Sequence, residues 1–151
     1  MTPVILIDAL RDRLQALLAE YQMETKEGQR RSPQVVTGYL PQQLAGEENP
    51  SEYPFIIVRP FKGKDAMEGG HMSVRLIFGT YRDDDDGFYY VMNLMERVRQ
   101  HLQKRRGLGG VFRLELPYEW QVFEEQPMPH WVGEAITLWS IPTIQEEVEG
   151  I

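Results

Sequence analysis

The chain contains no cysteine, which removes disulfide staples and thiolate metal ligands and gives no sign of an oxidising compartment. It has no apolar run near the roughly 18 residues that a membrane-spanning helix needs. Residues 1–10 hold an apolar patch, but no basic stretch precedes it and Asp8 interrupts it, so a secretory signal is not expected and the cytoplasm is the expected compartment. Histidine is scarce: His71, His101 and His130 lie far apart, with no His-Glu-x-x-His pattern or other metal-ligand spacing. No Gly-Lys-Ser or Gly-Lys-Thr occurs, and Gly107, Gly109 and Gly110 follow a predicted helix rather than a strand, so they read as turn glycines and not as a phosphate loop. A Gly-x-Ser-x-Gly elbow and a thiol nucleophile are both missing. With no catalytic constellation, the expectation is a protein that is not an enzyme, with no cofactor and no metal.

What remains is ample for a core. A chain of 151 residues is normally one domain, and at this size roughly 70% of the unfolded chain's surface is buried on folding. The hydrophobic fraction of 42% and aromatic fraction of 11% suit a globular domain. A formal net charge of −7 favours solubility and opposes non-specific binding to nucleic acid, which depends on neutralising phosphates. Basic residues still gather locally. Arg97, Arg99, Lys104, Arg105 and Arg106 crowd toward one predicted helix end, and Arg30 and Arg31 form a pair elsewhere.

Residues 73–107 are the stretch that organises the rest. Val74, Leu76, Ile77, Phe78, Thr80 and Tyr81 form a strand-like run of β-branched, aromatic and apolar residues. Asp83, Asp84, Asp85 and Asp86 then interrupt it; four unpaired carboxylates cannot be buried together, so they predict a solvated turn, with Gly87 after it. Val91, Met95, Val98 and Leu102 recur at helical spacing, with Asn93, Arg97, Gln100 and Lys104 opposite. Asp85 or Asp86 suits the cap, the acids suit the positive helix pole, and Lys104, Arg105 and Arg106 suit the negative one before Gly107.

Before this unit, Thr2 and Pro3 open a helix whose stripe is Leu6, Leu10, Leu14, Leu17 and Tyr21, ending near Tyr21 or Met23. Residues 23–33 read as an exposed loop, 34–40 as a short strand closed by Pro41, and 42–52 as a polar loop. Residues 53–60 are a strand whose apolar run is continuous rather than alternating, which implies cover on both faces. Residues 61–71 read as a glycine-containing connection. After Gly110, residues 111–116 alternate as a half-buried strand, Pro117 separates it from a second run around Trp120, Val122 and Phe123, and residues 131–141 form the last strand. The expected fold is α+β: a mostly antiparallel sheet with two main helices packed on one face, a single domain over residues 1–142 and a polar tail over 143–151.

Two features admit more than one reading. A calcium loop started at Asp83 would need an acid at its twelfth position, which is Leu94; a magnesium-dependent nuclease using adjacent aspartates is the enzyme alternative to a solvated, helix-capping turn. Tyr53, Tyr118, Trp120, Phe123, Trp131 and Trp139, interleaved with Pro117, Pro127 and Pro129, serve either as core or as a protein interface. Tyr89 and Tyr90 cannot both share the buried stripe with Val91.

Several words of the sequence resemble a family. Tyr53-Pro54-Phe55-Ile56-Ile57-Val58-Arg59-Pro60, then Leu76-Ile77-Phe78-Gly79-Thr80-Tyr81 ahead of the acidic turn and Leu94-Met95-Glu96-Arg97-Val98-Arg99, then Pro117-Tyr118-Glu119-Trp120 with Glu124-Glu125-Gln126-Pro127 are similar to small proteins of bacteriophage and prophage tail-assembly modules. The element order resembles that of tail terminator, or tail-completion, proteins. That resemblance implies a structural protein of the virion tail, assembled in the host cytoplasm as a homo-oligomer, a hexameric ring that caps the tail tube and ends its polymerisation. Its partners would be copies of itself, the tail tube protein and neck or connector proteins, with no membrane and no sequence-specific nucleic acid, while DNA passes through the ring. A neck or head-tail connector is the alternative within this class. A ring needs two complementary patches per subunit. Asp83, Asp84, Asp85 and Asp86 lie about 30 Å along one helix from Arg97, Lys104, Arg105 and Arg106 at 1.5 Å per residue, and these eight residues are the subunit-interface candidates.

Overall fold

The hydrophobic period that marks the second helix in the sequence is also what seats it in the structure, a computed structural model that describes residues 2–40 and 52–150. In chain order the elements are α1 (Pro3–Leu18), β1 (Met23–Glu24), β2 (Arg30–Arg31), β3 (Gln34–Thr37), β4 (Phe55–Ala66), β5 (Gly69–Tyr81), α2 (Gly87–Lys104), β6 (Gly107–Leu108), β7 (Phe112–Val122) and β8 (His130–Ile141). Six strands form one sheet in the order β3-β4-β5-β8-β7-β6, and β1 and β2 form a separate hairpin. Every pairing is antiparallel except β3 with β4. The fold is α+β with a mostly antiparallel sheet. No helix among the described residues is long and apolar enough to cross a membrane.

Both helices cover the same face. Leu6, Leu10, Leu14 and Leu18 of α1 and Val91, Leu94, Met95, Val98 and Leu102 of α2 join one buried cluster with Ile56 and Val58 of β4, Val74, Leu76 and Phe78 of β5, Leu114 of β7, and Ala135 and Trp139 of β8. Register explains the selection: Ile56 pairs with Phe78, Val58 and Ala135 both with Leu76, and Trp139 with Leu114, so these side chains share one face. Burying each such side chain stabilises the fold by about 1.5–3 kcal/mol. The buried Thr137 hydroxyl is fully satisfied. The Thr137 hydroxyl donates to the Val74 carbonyl at 2.8 Å and accepts the Trp139 indole N–H at 2.7 Å.

The continuous apolar run of β4 is indeed covered twice. Ile56 and Val58 lie under the helices, while Phe55 and Ile57 are buried on the opposite face. There the Tyr53 ring packs 4.8 Å from Phe55 and stacks on His130 at 4.1 Å.

Four expectations need correction. Residues 23–33 are not merely a loop: β1 and β2 pair there, Met23 and Thr25 are buried, and the Thr25 hydroxyl donates to the Gln29 carbonyl across the turn. Residues 61–71 are strand almost throughout, because β4 and β5 pair out to Ala66 and Gly69 with only Met67 and Glu68 between; a backbone ladder tolerates polar and glycine side chains that read as breakers. β7 runs straight through Pro117, which falls in the register shift between Glu115 and Glu119, where no ladder partner exists among the described residues and the missing N–H costs no ladder bond. Helix α1 stops at Leu18, short of Tyr21. Of the polar loop expected at residues 42–52, all but Glu52 lies outside the described residues. Residues 142–150 carry no helix or strand and are exposed.

The start of α2 is fixed by a close approach. Gly87 lies against Trp131, and a Cβ there would fall 1.9 Å from the indole Nε1, which donates its proton to the Arg82 carbonyl at 3.0 Å. Gly87→Ala is therefore expected to lower stability in chemical denaturation by about 1–3 kcal/mol, the usual cost of overpacking. Gly107→Ala, where nothing lies within 4 Å of the added methyl, serves as the control and is expected to stay within about 0.5 kcal/mol of the parent.

Candidate assembly surface

At the amino end of α2 the four aspartates are all exposed. Asp86 occupies the cap position, yet its side chain makes no cap hydrogen bond. Asp84 does the local work instead. Its carboxylate accepts the Asp86 backbone N–H at 2.8 Å and the Arg82 guanidinium at 2.6 Å, and the bond from Arg82 holds the Asp84 carboxyl below its ordinary range. Arg82 in turn lies 4.3 Å over the Tyr90 ring. Asp83, Asp85 and Asp86 form no ion pair among the described residues, so this end of the helix presents their charge to solvent. Among those residues no three His, Asp or Glu side chains converge as metal ligands would.

The carboxyl end is built by a residue distant in sequence. Arg13 of α1 donates to the carbonyls of Arg105 at 3.1 Å and Gly107 at 2.7 Å, satisfying acceptors that the end of α2 leaves open. The Arg105 N–H bonds the His101 carbonyl, and the Arg106 carbonyl accepts the Leu114 N–H at 2.9 Å. Arg13, Lys104, Arg105 and Arg106 thus form one basic corner, and none is in an ion pair among the described residues. Arg97 does not join them; its guanidinium is stacked 4.1 Å over Tyr21 on the outer side of α2. The eighteen residues of α2 keep the acidic and basic ends about 27 Å apart.

Between them, α2 and β7 enclose a groove of about 220 Å³ lined by Met92, Met95, Tyr118 and Trp120, with Glu96 and Arg99 at its rim. The two rim charges are spent on each other. Arg99 donates twice to Glu96 at 2.7 Å, Gln100 adds a third bond at 2.8 Å, and these bonds hold the Glu96 carboxyl down at about 2. Of the three tryptophans, Trp131 and Trp139 are core, whereas Trp120 is 49% exposed at this groove. The aromatic supply divides between core and surface. Tyr89 is exposed as well, and Val91 takes the buried stripe.

Charge separation along α2 is the part of this surface that the sequence carries openly. The contribution of Arg13 is not readable there, because ninety-two residues separate it from Arg105. No protein-family model matches the chain, and no curated protein matches it.

The basic corner also perturbs His101, whose Nε2 is buried without a hydrogen-bond partner among the described residues. Burial pushes its pKa down, and Arg13 and Arg105 push it further. As pH falls, the unfolded chain takes up this proton at about pH 6.5 while the native imidazole resists, so stability declines from about pH 7 downward. The midpoint of chemical denaturation is expected to fall between pH 7 and pH 5, and His101→Phe to flatten that dependence. His130, lowered chiefly by burial and then by Lys26, supplies the remainder.

Proposed function

We propose that this chain is a structural assembly protein of a phage or prophage tail, a ring-forming terminator that caps the tail tube and ends its polymerisation. Support comes first from the sequence words that resemble such proteins: they fall on β4, β5, α2 and β7, the elements that make the sheet and its main cover. The observation that carries the reading is the segregation of charge along α2, with Asp83, Asp85 and Asp86 at one end and Arg13, Lys104, Arg105 and Arg106 at the other. Each set lacks ion-pair partners of its own among the described residues.

Two unlike patches on one subunit satisfy each other in a head-to-tail contact, and a head-to-tail contact closes into a ring when its rotation divides a full turn. In a ring whose subunits incline to its axis, the two ends of α2 face opposite neighbours. Acid then meets base at every boundary, and the charges direct orientation more than they add affinity.

Light scattering of the purified chain across concentration, with electron micrographs of any large species, tests this. A closed species near six subunits is expected, binding isolated tail tubes in preference to neck complexes. Arg105→Glu with Arg106→Glu should raise the concentration needed for half-assembly by about tenfold or more, as should high salt. A mass distribution indifferent to both would count against the reading.

A further inference from the structure

Among the described residues the sheet is open along part of each of its two outer strands. β3 covers β4 only from the pair Gln34 and Phe55 to the pair Thr37 and Val58, and the Gly38 N–H closes that stretch by bonding the Val58 carbonyl at 2.9 Å. β4 continues to Ala66, so the outer side of residues 60–66 has no backbone partner among the described residues. On the far side, β6 covers only Phe112 and Arg113, and the Arg106 carbonyl takes the Leu114 N–H. The outer side of residues 115–122 is likewise unpaired. Apart from Pro60 and Pro117, which carry no N–H, both stretches present backbone N–H and C=O groups with no partner among the described residues, and such rows are templates for another strand.

On the face away from the helices the charged side chains of these two open stretches are opposite in sign, while the one acid of the β4 stretch, Asp65, pairs with Gly70 on the other face. Lys62 pairs with Ser73 and Lys64 with His71, on the face away from the helices that also carries Arg75 and Ile77. Glu115 pairs with Leu138 and Glu119 with Ile136, on that same face. None of the four forms an ion pair among the described residues. Phe61, the extra residue at the register shift between Pro60 and Lys62, lies under the Arg75 guanidinium at 4.6 Å and thereby sets the two lysines on this face.

Strand direction decides the partner. β4 is antiparallel to β5, β5 to β8, and β8 to β7, so β7 runs opposite to β4. A second copy generated by rotation alone therefore offers its β7 antiparallel to β4, with its helices on the same side and its glutamates on the face of the lysines. We propose that copies of this chain join edge to edge, residues 60–66 of β4 in one copy pairing antiparallel with residues 115–122 of β7 in the next, with Lys62 and Lys64 set against Glu115 and Glu119.

This inference rests on the ring-forming reading and names its contact. Pairing two β4 edges would oppose lysine to lysine, and pairing two β7 edges glutamate to glutamate; both are disfavoured, which leaves the head-to-tail arrangement. Lys62, Ser73, Leu138 and Glu115 lie on one line across the sheet, so the two open stretches overlap in height only near that line. Full pairing displaces successive copies along the strands, the shear by which a closed sheet inclines its strands.

The experiment uses two variants of the full chain, Lys62→Glu with Lys64→Glu, and Glu115→Lys with Glu119→Lys, each checked for a native circular dichroism spectrum. Each alone is expected to need about tenfold or more protein for half-assembly by light scattering. An equimolar mixture should regain the wild-type mass, because alternating copies oppose unlike charges at every boundary. Amides of residues 61–66, 115–116 and 118–122 should also exchange more slowly in assembled wild type than in dilute monomer. Rings formed by both variants alone, or a folded mixture that stays dissociated, overturn edge pairing and leave the ring reading standing. Failure of the wild type to assemble in solution or on tail tubes overturns both.

Discussion

Two helices must cover one face of a six-stranded sheet, and that constraint sets the residue type at nearly every interior position. Alternation sends Val74, Leu76 and Phe78 toward the helices and Arg75 and Ile77 away from them, so one row of β5 is fully buried while the other is partly wet. The helices obey the same demand at their own period, which is why Leu6, Leu10 and Leu14 of α1 and Val91, Val98 and Leu102 of α2 have almost no exposed surface. A one-residue slip of β5 would expose its buried row and bury Arg75, whose guanidinium Nε lies 3.1 Å from Glu134, so register and charge placement enforce each other.

Close packing on that face leaves narrow tolerances where α2 enters and where it crosses the sheet. Gly133 lies under Met95, where an added Cβ would stand 2.6 Å from the sulfur. Gly79 makes room for the Phe55 and Tyr53 rings on the other face. These glycines are required by side chains that approach them from neighbouring elements; neither has a positive φ. The beginning of α2 is anchored in the same manner, by Trp131 packed against Gly87 and bonded to the Arg82 carbonyl. The acidic turn is therefore held rigidly although its carboxylates are solvated. A fixed charge loses less entropy on meeting a partner than a mobile one.

Local periodicity made part of this legible. The stripe Val91, Met95, Val98 and Leu102 and the run from Val74 to Tyr81 each repeat one period long enough to exclude the other, and both elements form where that period places them. Residues 61–66 did not declare themselves, because Lys62, Gly63, Lys64 and Asp65 are polar or flexible and their strand exists through pairing with residues 69–73. The same holds for Pro117, tolerated because it falls at the register shift between Glu115 and Glu119, where β7 has no ladder partner among the described residues, which is a property of strand pairing rather than of any short window. Of the surface, the charges at the two ends of α2 were legible as helix-pole residues. The withdrawal of Arg97 to Tyr21 and the arrival of Arg13 beside Arg105 were not, since each depends on how α1 lies against the sheet.

The distribution of charge is coherent once the pairs are set apart from the remainder. Arg82 with Asp84, Arg99 with Glu96 and the half-buried Arg75 with Glu134 neutralise one another within the subunit, and the more exposed of such pairs contribute little to stability. Of the charges left over, acids stand at the start of α2 and, as Glu115 and Glu119, on the outward face of β7, and bases at the end of α2 and, as Lys62 and Lys64, on the outward face of β4. A net charge of −7 repels like copies at long range, yet within a Debye length of about 10 Å the local signs govern. In the proposed head-to-tail contact unlike charges meet, whereas pairing two like edges would oppose like charges. Negative charge overall and complementary patches locally are thus compatible with that proposed contact.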